Sequence, residues 1–136
     1  RYGGRVNRAF LWINFVLAIL VVVGVFVQEY LISSYIFGAG TDALDAHKNL
    51  GGFVHIAEVL VFLSAIGAYW KKWGEIGFNF AFAVVGTIQL GFADGDEWVG
   101  GLHGLFALIV LVMGAIITHR AMHALGIGRR PAPGAG

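Results

Sequence analysis

Asp45-Ala-His-Lys-Asn-Leu-Gly-Gly-Phe-Val-His-Ile-Ala-Glu58 sets two histidines, a glycine pair and a glutamate at the head of an apolar run that continues to Trp70. At about 100° per residue on a helix, His47, Gly51, His55 and Glu58 share one broad face, and Leu, Val, Ile and Phe occupy the rest. Such a helix turns its polar face inward, towards other helices, and gives its apolar surface to lipid.

The composition agrees with that reading. Hydrophobic residues make up 58% of the 136 and charged residues 12%, half of the roughly 25% found in soluble domains. Mean hydropathy is +0.79. The length is that of a single domain, and the apolar runs reach the ~20 residues that a helix needs to cross the hydrocarbon core. The absence of cysteine excludes disulfides, iron–sulfur clusters and thiol catalysis. The first apolar run is longer than the ~7–15-residue core of a signal peptide, so a retained span is expected.

Four spans are predicted, over about residues 9–32, 47–70, 76–92 and 99–118, inside a transmembrane domain of residues 1–125. Residues 33–46 read as a polar, turn-prone loop, Lys71–Glu75 as a tight hairpin, Ala93–Trp98 as an acidic turn, and 126–136 as a disordered tail. Eight of the nine Lys and Arg residues fall on one side of this arrangement, with Lys48 alone on the other. The positive-inside rule then makes both termini cytoplasmic, and Trp12, Trp70, Trp73 and Trp98 stand near span ends as interfacial anchors. The expected fold is an all-α, integral-membrane, up-down-up-down four-helix bundle of the cell membrane, bacterial inner membrane being the expected location.

Depth along each span, at about 1.5 Å per residue, gathers the polar side chains into one layer in the outer half. Gln28 and Gln89 lie about one turn inside their spans, His103 one to two turns inside the fourth, His47 at the edge of the second and His55 roughly 10–12 Å deeper. The second and fourth helices of an up-down bundle are diagonal, so a histidine on each can reach across the core. That is what a b-type haem requires of two axial imidazoles. Glycine costs about 1 kcal/mol in a helix interior, and Gly51 and Gly104 beside the histidines leave room for a flat macrocycle; close helix packing alone is the other reading. His103 is one expected iron ligand. By depth His103 falls between its two candidate partners, His55, buried inside the span, and His47, at the boundary beside Lys48 and Asn49 where water can satisfy it; His55 is the expected one, and Gln28 and Gln89 stand behind them.

Glu58 lies about 15 Å below the outer surface on the same scale, where an ionisable group marks a functional position. A proton relay or quinone contact is one role for it, and a neutral Glu bonded to Ser64, Thr87 or a helix carbonyl the other. His119 and His123, one turn apart, have metal-pair spacing but read as a solvated helix end. No phosphate-binding loop, Ser/His/Asp arrangement or nucleic-acid signature is present.

The order Gln28, Asp45-Ala-His-Lys-x-Leu-Gly-x-x-x-His55, Gln89, Leu102-His103 resembles a bacterial family of four-span membrane proteins classed as a domain of unknown function. The resemblance covers about residues 26–118. That family usually has Arg where this chain has Lys48, and often Pro where it has Gly104. It implies the membrane fold and no activity. In architecture the diagonal histidines are similar to four-helix cytochrome b bundles. Gln28 followed by His47-x-x-x-Gly51, and Gln89 followed by His103-Gly104, also hint at two parallel repeats with a ligand on the axis between them.

Three functions are therefore expected in order. The first is haem b-mediated electron transfer on the outer side, linked to a quinone or to another membrane subunit or copy. The second is an accessory or assembly subunit of a larger respiratory complex, and the third a small transporter or proton channel using Glu58. The chain reads more as an electron carrier or subunit than as a stand-alone enzyme.

Overall fold

The computed structural model describes residues 3–128, with side chains from Asn7 onward. It consists of α1 (Gly3–Ile36), α2 (Thr41–Ala68), α3 (Trp73–Phe92) and α4 (Glu97–Leu125), with no strand among the described residues. Each helix packs on the next and α4 closes on α1, which leaves α1 diagonal to α3 and α2 diagonal to α4. All four are long and apolar enough to cross a membrane, the mark of a membrane protein.

Inward positions follow a heptad spacing. Asn14, Ala18, Val21, Val25 and Gln28 are buried on α1, and Ala107, Val110, Gly114, Ile117 and Ala121 on α4. Steps of four and three keep one seam facing the neighbours, as in left-handed bundles. On α2 the buried series is Val54, Glu58, Val61 and Ala65, and counting back through Gly51 it reaches His47. The central layer is apolar, built on Val21, Val61, Val110, Ile117 and Phe82, none more than 2% exposed. Gly114 lets α1 come close: a Cβ there would stand 3.2 Å from Val22, and in ordinary contact, 3.7 Å, with the Phe82 ring. Phe26, Phe53, Leu105 and Val112 instead face outward and are more than half exposed.

All four helices begin before the predicted spans and α1 and α4 also run past their ends, whereas α2 stops at Ala68, short of 70, and α3 ends at Phe92 as expected; the expected loop over residues 33–46 shrinks to 37–40. Gly38 (φ 94°) and Gly40 (φ 88°) make the reversal, so the chain can stay helical on both sides of it. Ser34 bonds back to the Tyr30 carbonyl at 2.8 Å, and Asp42 stands in the first turn of α2, where the helix dipole favours an acid. Polarity here marks the helix leaving the apolar layer; it does not end the helix. Between α2 and α3 the expected tight hairpin turns on Lys71, in the left-handed region at φ 68°. Gly126 ends α4 at φ 79°, with its own N–H and that of Ile127 bonded to the His123 and Met122 carbonyls, a Schellman closure. Residues 129–136 of the expected disordered tail lie outside the described residues.

Each end of the bundle thus has a character. Turns 37–40 and 93–96, with Asp42, Asp45, Asp94, Asp96 and Glu97 around them, form an acidic end. The start of α1, turn 69–72 and the end of α4 form a basic end, with Arg8, Lys71, Lys72 and Arg120.

Candidate functional site

Towards the acidic end the four helices part around a cavity of about 630 Å³, within the ~300–1,000 Å³ of small-molecule sites. The residues read from the sequence as one outer polar layer line it: Gln28 from α1; His47, Gly51, His55 and Glu58 from α2; Gln89 from α3; His103 and Gly104 from α4. The wall behind them is apolar, with Val25, Val54, Leu90 and Ala107, and the mouth carries Glu29, Lys48 and Asp94, all exposed. These three mouth residues were not anticipated; only the folded turns bring them together.

The rings of His47 and His103 meet edge to face across the diagonal, 6.2 Å between centroids and at 73° to one another. Each is held from behind. The Nδ1 of His47 lies 3.1 Å from the Gln28 carbonyl oxygen and the Nδ1 of His103 lies 3.0 Å from that of Gln89. A carbonyl oxygen only accepts, so both Nδ1 atoms carry protons, and in the neutral imidazole the lone pair is on Nε2. Among the described residues, the buried side-chain atom without a partner is Asn14 Oδ1; neither Nε2 is sealed in the protein. The two halves of the chain therefore repeat one device: a glutamine near the end of one helix offers its carbonyl to the histidine of the next.

The halves differ in the amide. Gln28 Nε2 donates back to the His47 carbonyl at 3.3 Å, and Gly51 makes space for it, since a Cβ there would lie 2.7 Å from that nitrogen. No hydrogen bond within the described residues engages the Gln89 amide, which is left to the cavity. At Gly104 the opposite holds to Gly51: a Cβ would meet nothing within 4 Å, so this glycine widens the space without receiving a neighbour.

His55 is turned elsewhere. Its Nδ1 lies 3.0 Å from Glu58 Oε2, and Glu58, at 2% exposure, is the one buried carboxylate among the described residues. The carboxylate rests against Gly86 of α3, at a point where any Cβ would overlap Oε2. The alternatives of Ser64 and Thr87 as partners are not used: Ser64 bonds to the Val61 carbonyl at 2.8 Å and Thr87 to that of Ala83 at 2.8 Å. His119 and His123 stack edge to face at 4.4 Å at the basic end, both exposed and remote from the cavity.

A second polar layer went unread in the sequence. Asn14 Nδ2 donates to the Val61 carbonyl at 2.9 Å and to Asn79 Oδ1 at 3.0 Å, with Ser64 Oγ at 3.3 Å. Asn79 in turn donates to the Glu75 carbonyl at 2.9 Å. Fourteen residues along α1 separate Asn14 from Gln28, or about 21 Å, so this layer is a clasp of α1, α2 and α3 apart from the cavity.

Among the described residues no group of three or more His, Cys, Asp or Glu side chains is placed to hold a metal ion; the cavity offers a two-imidazole arrangement. No family model, curated protein or solved structure matches the chain.

Proposed function

We propose that this chain is an integral membrane cytochrome that crosses the bilayer four times, with both termini cytoplasmic, and holds one b-type haem between His47 and His103 for electron transfer on the outer side. The observation that carries the proposal is the histidine pair. With metal–nitrogen bonds of about 2 Å and half an imidazole ring on each side, two rings flanking one metal stand about 6 Å apart, centre to centre; the 6.2 Å separation matches. Nδ1–H bonded to a carbonyl fixes the tautomer that ligates through Nε2. The apolar wall, the open space at Gly104 and the free Gln89 amide suit a macrocycle with a few polar contacts. Bound there, a haem supplies reversible one-electron chemistry.

The residues themselves orient and insulate. Gln28 and Gln89 fix the imidazoles, Val25, Val54 and Ala107 exclude water, and Lys48 at the mouth is the cation placed to meet an anionic group of the occupant. The eight-to-one distribution of Lys and Arg supports the orientation, and the outward apolar side chains support insertion. The electron donor class that fits the location is a membrane quinol, and the acceptor another membrane subunit.

A dithionite-reduced minus oxidised visible spectrum of the detergent-purified protein tests this. The expected result is a sharp b-type alpha band, abolished or shifted to a five-coordinate form in His47→Ala and in His103→Ala, and kept in His55→Ala. A folded protein with no Soret band overturns the cytochrome reading in favour of an accessory subunit without a redox centre.

A further inference from the structure

The cavity contains an ionisable pair that the proposed His47–His103 site would leave unused. Glu58 is enclosed, its carboxylate seated against Gly86 in a gap that no other residue type would leave. Its hydrogen-bond partner is His55 Nδ1, at 3.0 Å. His55 is the accessible member: its side chain is 23% exposed, against 3% for Glu58, and its Nε2 has no partner among the described residues and is not sealed. Both residues line the same cavity as His47 and His103. The pair is thus a carboxylate reached by way of an imidazole, and that imidazole opens on a space continuous with the mouth.

One proton on Nδ1 leaves the pair with a net negative charge; one more, on His55 Nε2 or on the carboxylate, makes it neutral. In a site of low dielectric an added electron favours that second proton, because opposite charges attract more strongly there than in water. The other titratable groups around the cavity do not replace it. On α1 there is Glu29, on α2 His47 and Lys48, past α3 Asp94, and on α4 His103. Glu29, Lys48 and Asp94 are exposed at the mouth, where water screens them, and the two histidines hold their Nδ1 protons on carbonyls. From α3 the faces towards Glu58 are Gly86 and Gln89, neither of which titrates.

We propose that His55 and Glu58 form a proton-binding site coupled to electron transfer, one that takes up a proton from the outer aqueous phase when the occupant of the cavity gains an electron. The inference rests on the haem reading above. The electron comes from an external donor, a quinol-class reductant in the membrane or dithionite in the test, which is oxidised. The proton comes from outer water and forms one N–H or O–H bond on the pair. The charge within the cavity is unchanged, and oxidation reverses both transfers.

The test is a spectroelectrochemical titration of the purified protein across pH 6–8, with a pH-indicator dye reading proton uptake on reduction in weak buffer. The expected midpoint potential falls with pH by up to about 59 mV per unit, the value for one proton per electron. In Glu58→Gln, an isosteric change, the bands persist while both the slope and the dye signal are lost. His55→Gln serves as the second variant should Glu58→Gln not fold. A wild-type potential independent of pH, or a slope kept in either variant, overturns the proton site and leaves the cytochrome standing. Absence of the Soret band in the wild type overturns both.

Discussion

The imidazoles of His47 and His103 stand 6.2 Å apart, each pinned through Nδ1 to a backbone carbonyl of the helix before it. The pinning matters more than the separation. A histidine loose in an apolar cavity would sample several rotamers and pay entropy to bind, whereas these two are held with Nε2 free.

That anchoring yields a prediction about the glutamines, whose side chains act differently although their carbonyls act alike. Gln28 Nε2 donates to the His47 carbonyl at 3.3 Å, tying α1 to α2. Gln28→Leu removes the tie and is expected to destabilise the apoprotein by about 0.5–1.5 kcal/mol. Gln89→Leu breaks no bond within the described residues and is expected to leave apoprotein stability nearly unchanged while weakening haem retention. Thermal unfolding in detergent, with and without haem, separates the two. Equal losses of apoprotein stability would show that the asymmetry has no energetic weight.

Gly86 gives a second prediction, independent of any cofactor. A methyl group at this position would enter the space of the Glu58 carboxylate, and Gly86 and Glu58 are both buried, so the carboxylate cannot swing into solvent. Gly86→Ala is expected to cost about 1–3 kcal/mol by overpacking, against the gain of up to about 1 kcal/mol that Ala normally brings to a helix interior. Combining it with Glu58→Ala should recover part of that cost, because the space is then vacant. A Gly86→Ala protein as stable as the wild type would mean that the carboxylate lies elsewhere.

How much of this was legible in the sequence depends on the kind of information. Helix number and the gathering of Gln28, His47, His55, Glu58, Gln89 and His103 at one level follow from hydropathy and from rise per residue, both one-dimensional quantities. Direction around the helix axis is harder. Burial favours His55 over His47 as the partner of His103, because a boundary histidine can be satisfied by water, yet the buried series on α2 steps through Val54, Glu58, Val61 and Ala65, and continued backwards it passes through Gly51 to His47. His55 sits one residue off that seam. The heptad count was available in the sequence, but its phase is fixed only once the buried positions of α2 are known. The Asn14–Asn79 clasp was illegible for another reason: it joins three helices across 65 residues of chain, and a single Asn in an apolar span does not name its partner. The short turn at 37–40 escaped because polar residues signal exit from the apolar layer and the end of a helix alike.

The Asn14–Asn79 bond itself is testable. Buried hydrogen bonds between membrane helices contribute about 0.6 kcal/mol on average in double-mutant cycles and up to about 1.7. Asn14 carries an unpaired buried Oδ1, whose removal offsets part of the loss in Asn14→Ala, so single-variant stabilities understate the bond. The cycle of Asn14→Ala, Asn79→Ala and the double variant, followed by unfolding in detergent, is expected to give a coupling of about 0.5–2 kcal/mol. Strict additivity would reduce the clasp to proximity.

Orientation can be read directly because the chain has no cysteine, which leaves no background for thiol labelling. Ala39 lies in the turn at the acidic end and Lys72 in the turn at the basic end, both exposed. With both termini cytoplasmic, Ala39→Cys in intact cells reacts with a membrane-impermeant maleimide, and Lys72→Cys reacts only after the membrane is opened. The predicted asymmetry comes from Lys and Arg near the span ends, since acidic residues contribute little to topology. Adding two lysines to the 37–40 turn should therefore erode the asymmetry, whereas removing Asp42 and Asp45 should not. The opposite labelling pattern in the parent chain would place the cavity mouth on the cytoplasmic side, and the proton at His55 and Glu58 would then come from within.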